Sequence, residues 1–469
     1  MFKDTTTVLP LPPGPPRPRP RMATAALGLA AVVTTAALTA SFTAASLTVA
    51  DDEAVQAPAA SAGPAAGAAD AIALVVRPVV RSAAVGAATA VSADYTSATA
   101  EAASRKPRIT VVGTGGTIAG VARSRSSFLD YRSGVIPVKT LVRQLEPELS
   151  TVADVNTVQF GNKGSDAYSI AEFRALTVAV ERALKDSDGV VVTSGTDTME
   201  EFAYWLDLTV QSRKPVVVTG AMRPWAAGSP NGPQVLGADG PANLFNAVTL
   251  AASSSTYCFG TVLMLNDEFH AARDVTKTST LRADTFQTRE LGVLGWIDGP
   301  NIKVGRAPAR VALCDRARTW QTPFDMSKLT DAQLPRVEVV TSYQQAGGEA
   351  ISAFAAAGVR GIVTAGTGAG GISAAQSAAR TAAAASGVVF VSTSRTGSGS
   401  VYDNTGNVIP PDVAGNVVAG DDLLPQKARL LLLLSLAFAP DDVDQVRTWV
   451  TTLGNLEWQT GGRRTAAGS

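Results

Sequence analysis

The sequence predicts an α/β protein: a larger N-terminal domain on a mostly parallel sheet flanked by helices, followed by a smaller C-terminal α/β domain. Three observations carry this expectation. Short aliphatic or β-branched runs alternate with longer amphipathic stretches, the pattern of strands buried on both faces beneath helices. Two of those runs, at Ile109 to Val112 and Gly189 to Thr193, lead straight into glycine- and threonine-rich turns. The alternation is interrupted by a polar stretch from Arg316 to Gln333, with Pro323 inside it and Pro335 just beyond, and then resumes.

Taken in order, residues 1–50 read as a signal peptide. A proline-rich start ends in Arg17, Arg19 and Arg21, an apolar run extends from Met22 to Ala50, and Ala44, Ala45 and Ala50 offer small residues for cleavage. The run is long for this purpose, so an uncleaved membrane anchor is the alternative; secretion or an extracytoplasmic location is the main expectation. Residues 51–104 are dominated by Ala, Gly, Ser and Val without amphipathic period, as in a disordered linker.

The catalytic α/β domain is expected over 105–318. Its strands are ITVV at Ile109 to Val112, Gly189 to Thr193, Pro215 to Thr219 and Gly260 to Leu265, with helices at Ile170 to Leu184 and Asp197 to Gln211. Residues 319–335 form the interdomain linker. The smaller domain, 336–460, repeats the alternation with strands at Val337 to Thr341, Gly361 to Thr364 and Val388 to Ser392. The Leu-rich run from Ala428 to Phe438 reads as a buried helix, far shorter than a membrane span. Residues 461–469 are a tail.

Composition narrows the chemistry. The 469 residues carry 40 basic and 40 acidic side chains, so no net field favours nucleic acid or an anionic membrane, and a small-molecule partner is expected. Neither Cys258 nor Cys314 stands in a metal-ligand spacing, and no metal or other cofactor is predicted. The two cysteines fit one disulfide or two buried thiols equally well. His270 is the single histidine, so a hydrolytic base is expected to be another residue type.

Three constellations carry the chemistry. Gly113-Thr114-Gly115-Gly116-Thr117-Ile118-Ala119 follows a strand, so its glycines turn the backbone and leave Thr117 at a strand end; taken alone it is an ordinary glycine turn. Ser194-Gly195-Thr196-Asp197-Thr198-Met199-Glu200-Glu201 also follows a strand and opens a helix. There Thr196 or Asp197 serves as an N-cap, or the outward N–H groups face a developing negative charge. Arg273-Asp274-Val275-Thr276-Lys277-Thr278 reads as a solvated loop unless the fold brings Lys277 beside Thr196, where a water-poor site suits a lysine to act as base.

Together these motifs resemble the bacterial-type L-asparaginase and glutaminase-asparaginase family, in its type II, secreted form. TGGTIAG at Thr114 to Gly120 and GTDTMEE at Gly195 to Glu201 are similar to its two signatures. PVVVTGAMRP from Pro215, DGPANLFNAV from Asp239, DVTKTST from Asp274 and PQKAR from Pro425 extend the resemblance, in order, across about Arg108 to Ala439. The resemblance implies hydrolysis of asparagine to aspartate and ammonia through an acyl-enzyme. Thr117 is then the nucleophile, Tyr131 its assistant, and Thr196 with Lys277 and Asp197 the second centre. Substrate contacts fall to Gly116, Gly164, Ser165, Asp166, Gly195, Thr196 and Asp197, with Ser165 on the α-carboxylate and Asp197 on the α-amino group. It also implies a homotetramer of intimate dimers. Asp166 stands where glutamine is frequent, and Ser194 where histidine is frequent. Glutamine as a second amide, and a catalytically silent amino-acid-binding protein of the same fold, are the alternative readings.

Overall fold

The computed structural model describes residues 105–316, 320–403, 409 and 413–454. The expectations for residues 1–50, 51–104 and 461–469 lie outside the described residues. The chain enters the fold on β1 (Arg108–Gly115), followed by β2 (Val121–Ala122), β3 (Tyr131–Arg132), α1 (Val138–Arg143), α2 (Glu148–Val152) and β4 (Asp154–Lys163). Strand and helix then alternate through α3 (Ile170–Asp186), β5 (Gly189–Thr193), α4 (Met199–Thr209), β6 (Val216–Thr219), β7 (Ala226–Ala227), α5 (Gly240–Ala252) and β8 (Thr261–Leu265). Shorter strands close this part: β9 (Glu268–Ala271), β10 (Thr276–Lys277), β11 (Phe286–Gln287), β12 (Gly295–Asp298) and β13 (Asn301–Val304).

Eight of these strands form one sheet in the order β13, β12, β9, β8, β6, β5, β1, β4. The stretch from β8 to β4 is parallel, and β9, β12 and β13 add an antiparallel edge. Alternate residues of a strand face opposite sides of the sheet. Accordingly, Val190 and Val192 pack with α3 and α4, whereas Val191 packs with α5 on the other face. Burial on both faces is why the parallel strands were legible as continuous apolar runs. By contrast β4 has no such run: its residues are all exposed or half-buried, as an edge strand permits.

After a segment of short turns come β14 (Val337–Thr341), α6 (Glu349–Ala356), β15 (Gly361–Gly366), α7 (Ala374–Ala385), β16 (Val389–Ser394), β17 (Val417–Ala419), α8 (Pro425–Phe438) and α9 (Val443–Leu453). Strands β14 to β17 make a second, wholly parallel sheet in sequence order. Helix α8 is buried all round, from Leu430 through Leu434 and Leu436, and its leucines share one core with the aromatic residues Phe202, Tyr204 and Trp205 of α4. A helix apolar on every side needs such enclosure. Among the described residues no helix is long and apolar enough to cross a membrane.

The pairing that sequence left open is a disulfide between Cys258 and Cys314, whose Cα atoms are 5.7 Å apart. It stands beside buried Trp320, which donates its indole N–H to the Cys258 carbonyl at 2.9 Å. The Arg310 guanidinium stacks 3.9 Å from the same ring and pairs with Asp207 at 3.0 Å.

Candidate active site

Strands β5, β1 and β4 are parallel neighbours, so their carboxyl ends and following turns lie at one edge of the sheet. The chain leaves β1 for β4 on one side and later reaches β5 on the other, the switch point at which open α/β sheets form a crevice. Three of the segments singled out by sequence therefore converge: Gly116-Thr117 after β1, Gly164-Ser165 after β4, and Gly195-Thr196-Asp197 after β5.

Glycine makes the convergence possible. Gly116 has φ +79°, and a Cβ there would stand 2.2 Å from the Gly195 backbone nitrogen. The two turns thus touch backbone to backbone, an approach that any side chain would block. Gly195 in turn packs against Ser165, whose Oγ would be 3.1 Å from a Cβ built on Gly195. Ser165 is buried, and its Oγ accepts the Thr198 N–H at 3.1 Å, linking the β4 turn to the start of α4. Asp166 is exposed, with its Oδ1 folded toward Gly164.

The first threonine sits in a one-turn 3-10 helix, Thr117–Ala119, and its side chain is buried. Thr117 Oγ1 lies 2.7 Å from the Tyr131 hydroxyl, with either able to donate. Tyr131 reaches it from β3, which pairs antiparallel with β2. Nearby, burial pushes the Tyr168 hydroxyl up to about 12, and that hydroxyl donates to the Thr114 carbonyl at 2.5 Å, bracing the turn from behind.

The second threonine, Thr196, is also buried. Lys277 Nζ donates to Thr196 Oγ1 at 3.0 Å and to Asp197 Oδ1 at 2.7 Å. The Lys277 side chain is 16% exposed and that of Asp197 is 75% exposed, so the carboxylate faces the open side while the lysine lies beneath. Neither Thr196 nor Asp197 caps α4: the N-cap is Thr198, without a side-chain cap bond. The capping alternative gives way because both residues are turned toward Lys277.

Several residues that sequence left without a role complete this side. Glu200, in the first turn of α4, is buried and accepts the Lys277 backbone N–H at 2.8 Å and the Gln426 side-chain amide at 2.6 Å. Lys427 is wholly buried and donates to the carbonyls of Ala272, Arg273 and Val275 at 2.7, 2.8 and 2.5 Å. Burial lowers its ammonium to about 8. The PQKAR motif was the available signal, but its position in a leucine-rich helix concealed what it reaches. Next to Glu200, burial raises the Glu201 carboxyl to about 7, against the partial pull of Arg429, whose Nη1 is 3.9 Å away.

His270 is buried on β9 with Nδ1 3.2 Å from Thr288 Oγ1, and burial lowers it to about 4. It is a neutral core residue. Among the described residues no group of three His, Cys, Asp or Glu side chains is arranged to hold a metal.

Residues 108–310 match the model of the asparaginase N-terminal domain, and residues 336–450 that of the glutaminase/asparaginase C-terminal domain. The chain is 39% identical over 338 residues to L-asparaginase 2 of Bacillus subtilis (strain 168), covering 71% of this chain and 84% of that relative. It is 39% identical over 335 residues to the probable periplasmic L-asparaginase of Haemophilus influenzae, covering 71% and 90% respectively. Its structure superposes on the crystal structure of a probable cytoplasmic L-asparaginase from Campylobacter jejuni with a TM-score of 0.64 at 35% identity, covering 74% of this chain and 99% of that one.

Proposed function

The chain belongs to the asparaginase family, and on that premise we propose that it hydrolyses L-asparagine to L-aspartate and ammonia with Thr117 as nucleophile. The observation that carries the reading is the meeting of two threonine centres, Thr117 with Tyr131 and Thr196 with Lys277, across the Gly116–Gly195 backbone contact. An unactivated amide needs a placed nucleophile, a proton acceptor and donors for the tetrahedral oxyanion.

In this mechanism the substrate's ammonium binds Asp197 and its α-carboxylate binds near Ser165, with Gly116, Gly164, Asp166 and Gly195 lining the same crevice. Thr117 Oγ attacks the side-chain carbonyl carbon as its hydroxyl proton passes to Tyr131, whose own phenolic proton moves on to the amide nitrogen. The C–N bond then breaks and ammonia leaves with a proton, giving an aspartyl ester on Thr117. Water, activated by Lys277 through Thr196, hydrolyses that ester. Asp197 couples binding to chemistry, since the carboxylate that accepts from Lys277 Nζ at 2.7 Å also receives the substrate ammonium.

The test is ammonia release from asparagine by the folded domain, with a Thr117→Ala variant alongside; unchanged turnover in that variant sinks the assignment. Binding of asparagine without ammonia would favour the silent binding protein. Glutamine measured in the same assay decides between a dedicated asparaginase and a glutaminase-asparaginase.

Two further parts of the reading concern setting. Export is supported by the disulfide, since such bonds persist in oxidising compartments. N-terminal sequencing of protein from the medium checks it, and recovery solely in membranes with Met22 to Ala50 intact would favour the anchor. A homotetramer of intimate dimers is the assembly that the family resemblance implies. Light scattering of the purified protein measures the assembly.

A further inference from the structure

Lys277 sits on an unusually slight element. Strand β10 has two residues, pairs among the described residues only with the equally short β11, and belongs to neither main sheet. Strand pairing of that extent fixes little, yet a proton-transfer group misplaced by about 1 Å can lose on the order of 10²-fold in rate. Something else must set its position.

Both ends of Lys277 are tied to one segment. Its Nζ donates to Thr196 and Asp197, and its backbone N–H donates to Glu200 Oε2, four residues after Thr196. The lysine is thereby referenced to the first turn of α4 rather than to its own strand. A buried carboxylate requires partners on both oxygens, and Glu200 Oε1 receives its donor from Gln426, at the N-terminus of α8 in the smaller domain. The adjacent Lys427 fixes the residues leading into β10 through its three carbonyl contacts. Arg273, in the same lead-in, pairs with Asp422.

We infer that Glu200 is a positioning residue for Lys277, held in that role by Gln426, so that the smaller domain sets the geometry of the base. The inference rests on the proposed role of Lys277. An acceptor is needed at each oxygen, which the carboxylate provides; glutamine retains one acceptor for the Lys277 N–H and can meet a reoriented Gln426 with its amide.

The test measures kcat and KM for asparagine in Glu200→Ala, Glu200→Gln and Gln426→Leu, each also combined with Lys277→Ala, with thermal unfolding as a check on folding. Glu200→Ala and Gln426→Leu are expected to lower kcat between about 10- and 100-fold with KM within about 3-fold, and Glu200→Gln to recover most of that loss. In the Lys277→Ala background the same substitutions should add less than about 2-fold, because the group they position is gone. Full activity of Glu200→Ala, or an undiminished loss in the Lys277→Ala background, overturns the inference. An active Lys277→Ala enzyme sinks the base assignment itself. Should Glu200→Ala fail to fold, the Gln426→Leu pair carries the same comparison.

Discussion

The Thr117 and Thr196 centres follow neighbouring parallel strands but are held by different means. Thr117 meets Tyr131, only 14 residues away, through one hydroxyl contact. The segment between them includes the exposed Phe128 and Leu129. Thr196 meets Lys277 across 81 residues. That lysine is braced by Glu200, which contacts Gln426 another 226 residues along. The first centre is local in sequence, and in the proposed mechanism it forms and releases the ester. The second is built from long-range contacts, the fixed geometry that the base of the proposed mechanism needs.

If both centres are essential, Thr117→Ala and Thr196→Ala should each lower kcat on the order of 10⁴-fold while remaining folded, and the double variant should lose little more, since groups acting as a unit are not additive. Additive losses in ammonia release would separate the two centres. Tyr131→Phe removes one proton-transfer group and should cost on the order of 10²-fold in kcat. Its thermal stability should match the parent, because the ring keeps its packing and only the hydroxyl contact to Thr117 is lost.

The disulfide distinguishes the centres structurally. It closes a 56-residue separation that contains Lys277 but neither Thr117 nor Thr196, and loop entropy puts the value of such a closure at about 4 kcal/mol. Replacing both cysteines by serine should lower the melting temperature and speed amide exchange in β8 to β10, with β1 to β3 less affected. Equal acceleration in both would mean that the bridge does not favour the lysine side.

Smallest are the pH effects. Burial raises Glu201 from 4.5 to about 7, so its stabilising contribution is fully present below the unfolded value and is lost as pH rises through about 7. Glu201→Gln should therefore melt higher than the parent near about pH 8 and equal it near about pH 4. His270 has the opposite sign. Lowered from 6.5 to about 4, it contributes stability that is complete above the unfolded value and lost as pH falls toward about 4. His270→Gln should flatten the melting curve over that interval.

How much of this was written in the sequence follows the same division. The buried parallel strands β1, β5, β6 and β8 are visible as aliphatic runs. Thr117, Tyr131, Ser165, Thr196, Asp197 and Lys277 stand in recognisable motifs. The antiparallel edge strands β9, β12 and β13 were missed because four residues each give little periodicity. Glu200 stands in the GTDTMEE motif without an assigned role, since an acid in the first turn of a helix is favourable for the helix dipole alone. Lys427 was visible in sequence only as part of PQKAR, and only the tertiary fold brings three carbonyls to its ammonium. Contacts between residues so distant in sequence leave no local pattern.

The direct test of the division between the two threonines is rapid acid quenching during turnover of asparagine, followed by peptide mapping by mass spectrometry. The account predicts an aspartyl ester on the peptide containing Thr117, and its absence from the Thr117→Ala variant. An ester found on Thr196 instead would contradict it.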